Sequence, residues 1–580
     1  MKPINCLYLA AVIAGLYFSG SVASAQTNPI TYNTGADGAW DTTTADWVLG
    51  APTGSPLAPP AGSATDFVNL DTAYFTASTA GTITIASGGV SVSNSSNTAN
   101  TNRTAFDVTG GAYTFNGGSL TFSGSGLTGA GSDQYLQVAS GASATFNDLV
   151  TDNVGSFYVL NNGSSGTATF TDGLAAGTVA ANGSGSAQLY LGSYGTGTVN
   201  LAGGAISSSF TLDRTSAVNL YGGAIWGVGQ QLQIGGGSTT VLTVGNSTTS
   251  GTLNDFSTGY AAIQIGASNN AGEIDLKAGA VNSYNGITVM IGNGTNTGNS
   301  GTLLVEGGTL TTDTQGTGTQ YGITLNPTSD TSAGSTGTSV FTVTGGTVNT
   351  DGITFGGAQA VGATYSTTVA TSATLNISGG TTYVGSLGIN KAAVAPTTNT
   401  VNLSGGTIGA SAAWSSNMAM NLTTGTNGNV TFKTANSSNA AENITLNGVL
   451  SGTGGINITG PGVFTLSNTN TYSGTTDVLT GATLNLTSNL ALASTSTLTL
   501  DTSTSVVDLN FTGYDFIAAL NIDGTAEAAG IYSASALNNG TGSGFIDVGN
   551  VAVPEPGTWA LLLGGLGFLV FVRRCRRANS

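Results

Sequence analysis

In the interior of this 580-residue chain, the charged side chains best spaced for chemistry are those of "EIDLK", Glu273–Lys277. Side chains alternate along an extended strand, so Glu273, Asp275 and Lys277 share one face while Ile274 and Leu276 turn to the other. Two carboxylates beside an ammonium can act as acid and base on a glycan linkage. The same residues also describe a solvated outer face with one ion pair, worth roughly 0–1 kcal/mol. The second description is preferred, because no further catalytic apparatus accompanies the cluster. Histidine is absent, which removes Ser-His and Cys-His pairs and nearly all zinc and copper sites. "GSGLTG" (Gly124–Gly129) has the spacing of a dinucleotide loop, but no helical pattern follows it, and a chain with 90 glycines produces such matches by chance. No Walker lysine follows a glycine run, and no cofactor is expected. Trp40, Trp47, Trp226 and Trp414 could stack on sugars, although coil-end caps and core packing account for them better.

Composition narrows the function classes further. The only cysteines, Cys6 and Cys575, lie near the termini, so a body without them has neither disulfides nor thiolate metal sites. All 27 acids fall between Gln26 and Pro556, against Arg103, Arg214, Lys277, Lys391 and Lys433 in the same region. No nucleic acid partner is expected, since phosphate contacts need a basic surface. At 39% apolar residues the chain has the means to fold.

The elements that must position any site are written as one recurring motif. "VNLAGGAI" (Val199–Ile206) is followed by "VNLYGGAI" (Val218–Ile225), then by "LLVEGGTL" (Leu303–Leu310), "FTVTGGTV" (Phe341–Val348), "LNISGGTT" (Leu375–Thr382) and "VNLSGGTI" (Val401–Ile408). Each copy is a short alternating strand, a glycine corner and a second alternating strand. A unit near 20 residues with several strands and no helix predicts an all-β fold, a repetitive parallel β-helix or solenoid. Only Pro327, Pro396 and Pro461 of the eleven prolines lie between Gly62 and Pro554. That scarcity suits strands bonded on both sides. A string of small sandwiches is the rival arrangement, and it would need longer gaps and more proline at the corners. Ala51–Gly62, with four prolines, and the polar stretches 94–103 and 425–443 are expected to be loops.

One copy is more specific. "LSGTGGINITGPGVFTLSNTNTYSGTTDVLTGATLNL" (Leu450–Leu486) resembles the autotransporter-associated β-strand repeat of bacterial passenger domains. "GAWDTTTADW" (Gly38–Trp47) and the stretch Leu520–Val548 resemble the start and finish of such passengers. The outer-membrane barrel of autotransporters is not expected here, so delivery falls to the terminal segments.

Those segments differ in kind from the body. Lys2, the apolar "CLYLAAVIAGLYF" (Cys6–Phe18) and the small residues Ala23 and Ala25 make a signal peptide, with signal peptidase leaving Gln26 first. Near the other end stand Pro554-Glu555-Pro556, sixteen uncharged residues (Gly557–Val572), and Arg573, Arg574, Arg576 and Arg577. Trp559 and the arginines suit the two interfaces of a bilayer, with the arginines cytoplasmic and the body outside. In that order these parts closely resemble the PEP-CTERM sorting signal of exported bacterial proteins. The resemblance implies a single transmembrane helix, an exosortase-type processing enzyme as partner, and an inner-membrane precursor passed to the cell surface, outer membrane or extracellular matrix.

The chain divides accordingly into a signal peptide (1–25), an N-terminal cap and proline-rich loop (26–62), solenoid repeats (63–449), the autotransporter-type repeat (450–486), a C-terminal β region (487–552) and the sorting signal with its transmembrane helix (553–577). The function expected is a non-catalytic β-helical rod at the surface or in the matrix, with exopolysaccharide as its associate. A polysaccharide-active or glycan-binding β-helix protein is the alternative.

Overall fold

Each copy of the motif forms the pair of strands its alternation predicts. In Thr198–Leu201, Val199 and Leu201 point inward and are buried, while Thr198 and Asn200 stay part-exposed. Ala205–Ser207 follows after a two-glycine corner. The two glycines are needed for different reasons. A Cβ on Gly203 would lie 2.0 Å from the carbonyl oxygen of Thr171 in the neighbouring strand layer, whereas Gly204 adopts φ 66°, which β-carbons disfavour.

The computed structural model describes residues between 29 and 549. Its longest breaks fall at 50–63, 93–103, 124–133, 177–187, 313–321, 327–335 and 357–369, and 395–549 is continuous. The signal peptide with Ala23, Ala25 and Gln26, the sorting residues Pro554 to Arg577, Gly124–Gly129 and the stretches 51–62 and 94–103 lie outside the described residues. What is described is nearly all β, in parallel sheets. Helix among the described residues is confined to the 3-10 turn Ala534–Ala536.

Two compact units are present. In the first, which runs to Phe341 and includes 356–372 and 394–397, each strand from Thr72–Phe75 to Ile287–Val289 pairs in parallel with the strand three places further along the chain. One stack runs through Ala112–Asn116, Ser143–Phe146, Thr167–Phe170, Thr198–Leu201, Ala217–Leu220 and Thr240–Val244. A second includes Leu120–Ser123, Val150–Asn153, Leu174–Ala176 and Ala205–Ser207. A third includes Gln134–Val138, Ser156–Val159, Gln188–Leu191 and Phe210–Leu212. The chain visits the three stacks in rotation, a β-helix-like order. Register turns the motif into columns: Phe115, Phe146, Phe170, Leu201, Leu220 and Val244 follow one another in the core. The rings of Phe115, Phe146 and Phe170 stack at 5.0 and 5.2 Å with interplanar angles of 13° and 14°.

The second unit comprises 342–355, 373–393 and 398 onward. Thr407–Ala410, Val430–Lys433, Ile456–Thr459, Thr475–Val478, Thr497–Leu500 and Ala519–Ile522 form one parallel stack. Trp414–Ser416, Ile444–Leu446, Val463–Leu466, Thr483–Leu486 and Val506–Leu509 form another. Near the last described residues the pairing turns antiparallel, between Ala519–Ile522 and Thr525–Ala526 and between Gly530–Ser533 and Phe545–Val548. In the first unit Pro29–Tyr32 likewise pairs antiparallel with Trp47–Leu49. Antiparallel hairpins at such places occupy edges that would otherwise template further pairing.

Two expectations are corrected. The repeat is not uniform near 20 residues: hydrogen-bonded outer side chains in successive layers lie 19 apart for Asn200 and Asn219, 26 for Asn376 and Asn402, and 31 for Thr169 and Asn200. Corners absorb the difference, because only the strands must keep register. Nor is 425–443 a loop throughout. Val430–Lys433 is a strand with Val430 and Phe432 buried, set between a tight Gly425–Gly428 bridge and an Asn436 turn.

Asp515 supplies the sharpest energetic consequence. It is fully buried, and burial pushes its pKa up to about 7 even though the backbone N–H groups of Leu492, Ala491 and Phe516 favour the carboxylate. Leu492 donates to its Oδ2 at 3.0 Å. Burial likewise raises Asp107 to about 7. Both folded values exceed the unfolded one, about 3.9. The folded state therefore holds extra protons between about pH 4 and 7, and stability falls as pH rises through that window, by up to ~1.4 kcal/mol per unit for each group. The urea midpoint should accordingly drop between pH 5 and pH 8 in the wild type. Asp107→Asn with Asp515→Asn should flatten that dependence, and an unchanged slope in the double variant would show that these carboxyls titrate normally.

Candidate functional site

Glu273, Asp275 and Lys277 lie where the alternation puts them, on and just after strand Ala271–Leu276, with Ile274 and Leu276 fully buried beneath. In register, Glu273 stands between Val241 and Thr302, and Asp275 between Thr243 and Leu304. The surroundings differ from a freely solvated face. The Asp275 side chain is only 12% exposed, and Lys277 Nζ reaches both Asp275 Oδ2 and Glu306 Oε2 at 2.9 Å. Hydrogen bonds that the ammonium donates to Glu306 and Asp275 raise the lysine pKa and hold it charged. Burial first, then repulsion by Asp275 and Glu306, raises the Glu273 pKa, with Lys277 opposing. One ammonium thus neutralises carboxylates of two successive layers, and the neighbours in register of Glu273 and Asp275 are hydroxyl and aliphatic side chains.

Glu306 was not singled out with the cluster, yet a signal for it exists. Lys277 precedes the corner of "LKAGAV", and Glu306 precedes the corner of "VEGGTL" one layer on. Aligning the repeats places the two side by side. Among the described residues no group of three or more His, Cys, Asp or Glu side chains is arranged to hold a metal ion.

The outer faces carry a second kind of feature, polar and aromatic columns. Asn219 donates to Asn200, and Asn200 donates to Thr169. Asn421, Asn402, Asn376 and Thr342 repeat the arrangement in the second unit. Tyr135, Tyr158 and Tyr190 occupy one outward column in successive layers, with ring centroids 5.0 and 4.4 Å apart. Alternation identifies each of these residues as outward, but it does not reveal which ones meet across layers of unequal length. Trp414 is buried, its Nε1–H donating to the Gly409 carbonyl at 3.3 Å, so it belongs to the core. Trp40, Trp47 and Trp226 lie in strands Gly38–Trp40, Trp47–Leu49 and Ala224–Gly227.

Among the described residues no helix is long and apolar enough to cross a membrane. No curated protein and no solved structure matches the chain. Residues 552–577 match the PEP-CTERM protein-sorting motif, spanning the Pro-Glu-Pro triplet, the apolar run and the arginines. The match indicates an exported protein, made as a membrane-anchored precursor and sorted to the cell surface by exosortase-type machinery.

Proposed function

We propose that this chain is a non-catalytic surface or matrix protein, a β-helical body delivered by its two terminal segments and associated with exopolysaccharide. The observation that carries the reading is the sorting motif at 552–577 following a body of parallel strand layers. In this reading residues 1–25 are removed by signal peptidase, and Gly557–Val572 spans the inner membrane as one helix until processing near Pro554-Glu555-Pro556. The body closes as a solenoid, which the three-stack rotation of the first unit favours. Residues 450–486 act as an autotransporter-type repeat. Their strands stack in register with the layers on either side, and the buried Tyr472 hydroxyl bonds Thr476 Oγ1 at 2.6 Å within "YSGTT". Columns of Thr, Asn and Tyr on the outer faces suit contact with sugar hydroxyls.

The Lys277 arrangement speaks for structure over catalysis, because its charge is already committed to Asp275 and Glu306. Glu273→Gln with Asp275→Asn should therefore leave glycan binding within about twofold of wild type, since an outer ion pair contributes little. Loss of a measured lyase or hydrolase activity in this double variant would establish the enzymatic alternative instead.

The tail is tested separately. Intact mass of the surface-released protein should show a C-terminus near Pro554-Glu555-Pro556, with Trp559–Ser580 missing. Replacing Arg573, Arg574, Arg576 and Arg577 by serine should lower the processed fraction, because each arginine resists crossing the bilayer by roughly 2.5–3.5 kcal/mol. Glu555→Ala should leave insertion intact and let the precursor accumulate in the inner membrane. A released protein that still ends at Ser580 excludes processing.

A further inference from the structure

The last described strand, Phe545–Val548, is the middle of a three-stranded sheet, parallel to Tyr514–Ile517 and antiparallel to Gly530–Ser533. Register pairs Tyr514 with Phe545, and sets Phe516 and Ile531 on either side of Asp547. Alternation then divides the faces. Asp515, Ile517, Ile546 and Val548 are buried on one, and Tyr514, Phe516, Phe545 and Ile531 stand on the other. Tyr514 is 43% exposed and Ile531 58%, the highest exposure of any large apolar side chain among the described residues. The Tyr514 ring lies 5.6 Å from Phe545 and 6.5 Å from Phe516, so the aromatic groups form one surface. Asp547 sits within this face but is 8% exposed, so its carboxylate adds little polar area.

What covers this face is indicated by the chain that leaves it. The middle strand ends at Val548, and the apolar segment begins at Gly557, with residues 549–556 between them. At no more than ~3.6 Å per residue, that connection holds the sheet within about 30 Å of the membrane whenever the apolar segment is inserted. A tether this short raises the effective concentration of the interface to about the millimolar range, so weak affinity suffices. Tyrosine favours the headgroup region, where its ring can be buried with its hydroxyl still wet, and phenylalanine and isoleucine beside it add purely apolar area.

We propose that Tyr514, Phe516, Ile531 and Phe545 rest on the lipid interface of the membrane that holds the tail. The precursor is thereby docked as well as tethered, and Pro554-Glu555-Pro556 is kept at the membrane surface within reach of a membrane-embedded processing enzyme. Removal of the tail abolishes the tether, and the small apolar face alone then releases the body. The proposal rests on the reading of 553–577 as membrane-inserted. Attraction to anionic headgroups plays no part, since the chain carries a net charge of −17.

The test uses full-length protein in phosphatidylcholine vesicles, with Cys6 and Cys575 replaced by serine. An environment-sensitive fluorophore is attached at Ile531→Cys or, as a control, at Ser438→Cys in the exposed Asn436 turn. Lipid-borne nitroxide should quench the label at 531 at least about twofold more than the label at 438, and no more strongly when phosphatidylglycerol is included. Adding Tyr514→Ser and Phe545→Ser should reduce that quenching, and Tyr514→Ser alone, a surface change, should do so in part. Flotation of the vesicles in carbonate separates the two readings. Protein that floats with its 531 label no more quenched than its 438 label keeps the membrane tail and overturns the docking. Protein that does not float overturns both. A 531 label shielded from water but not reached by lipid nitroxide assigns the face to a second copy or to another segment of the chain, and also overturns the proposal.

Discussion

Parallel pairing of strand on strand constrains everything else in this molecule. Layers about 4.8 Å apart leave no room for a side chain directed along the stack at a corner. Gly203 shows this directly, since the carbonyl of Thr171 occupies the space a Cβ would need. The neighbouring Gly204 serves the turn instead. The double glycine of the motif thus combines two requirements, a close approach between layers and a corner in the chain. Gly307 and Gly308 repeat the division, one facing the Lys277 carbonyl and the other at φ 66°.

The same pairing converts local alternation into long-range columns. Residues that follow one another in the core column, such as Phe146, Phe170 and Leu201, are separated in sequence by whole layers. Their shared apolar character keeps the column buried as phenylalanine gives way to leucine. On the outer face, Asn219 to Asn200 to Thr169 does the corresponding work with amides and hydroxyls. Asn200 donates to one layer and accepts from the next, so polar side chains that would gain little singly are satisfied in series.

The strand-and-corner alphabet and the all-β, parallel character were legible because both are local: a period of two and a glycine pair. Layer length was not, because the corners between strands vary freely while the strands keep register, and the 19-residue spacing of Asn200 and Asn219 is the short case. At the candidate site, Glu273, Asp275 and Lys277 were legible as one face. Glu306 was missed because it is 29 residues away in sequence and becomes a neighbour only through pairing. The Pro-Glu-Pro tail was legible for the opposite reason, since its order of residues is contiguous and needs no fold to be read.

Column stacking also accounts for why only 6% of the residues are charged. Equivalent positions recur about every 4.8 Å, so a charge repeated at one strand position would stand directly above its like. Two such charges repel by about 1 kcal/mol even in water, and by more where the local dielectric is lower. The repulsion would accumulate along the stack, whereas Thr, Ser and Asn accumulate hydrogen bonds. A charge is tolerated where its column supplies the opposite sign, and Lys277 between Asp275 and Glu306 meets that condition. Asp515 meets it in another way, because burial keeps a proton on its carboxyl up to about pH 7. Elsewhere the outer faces of the described layers carry hydroxyl, amide and aromatic columns such as Asn219–Asn200–Thr169 and Tyr135–Tyr158–Tyr190.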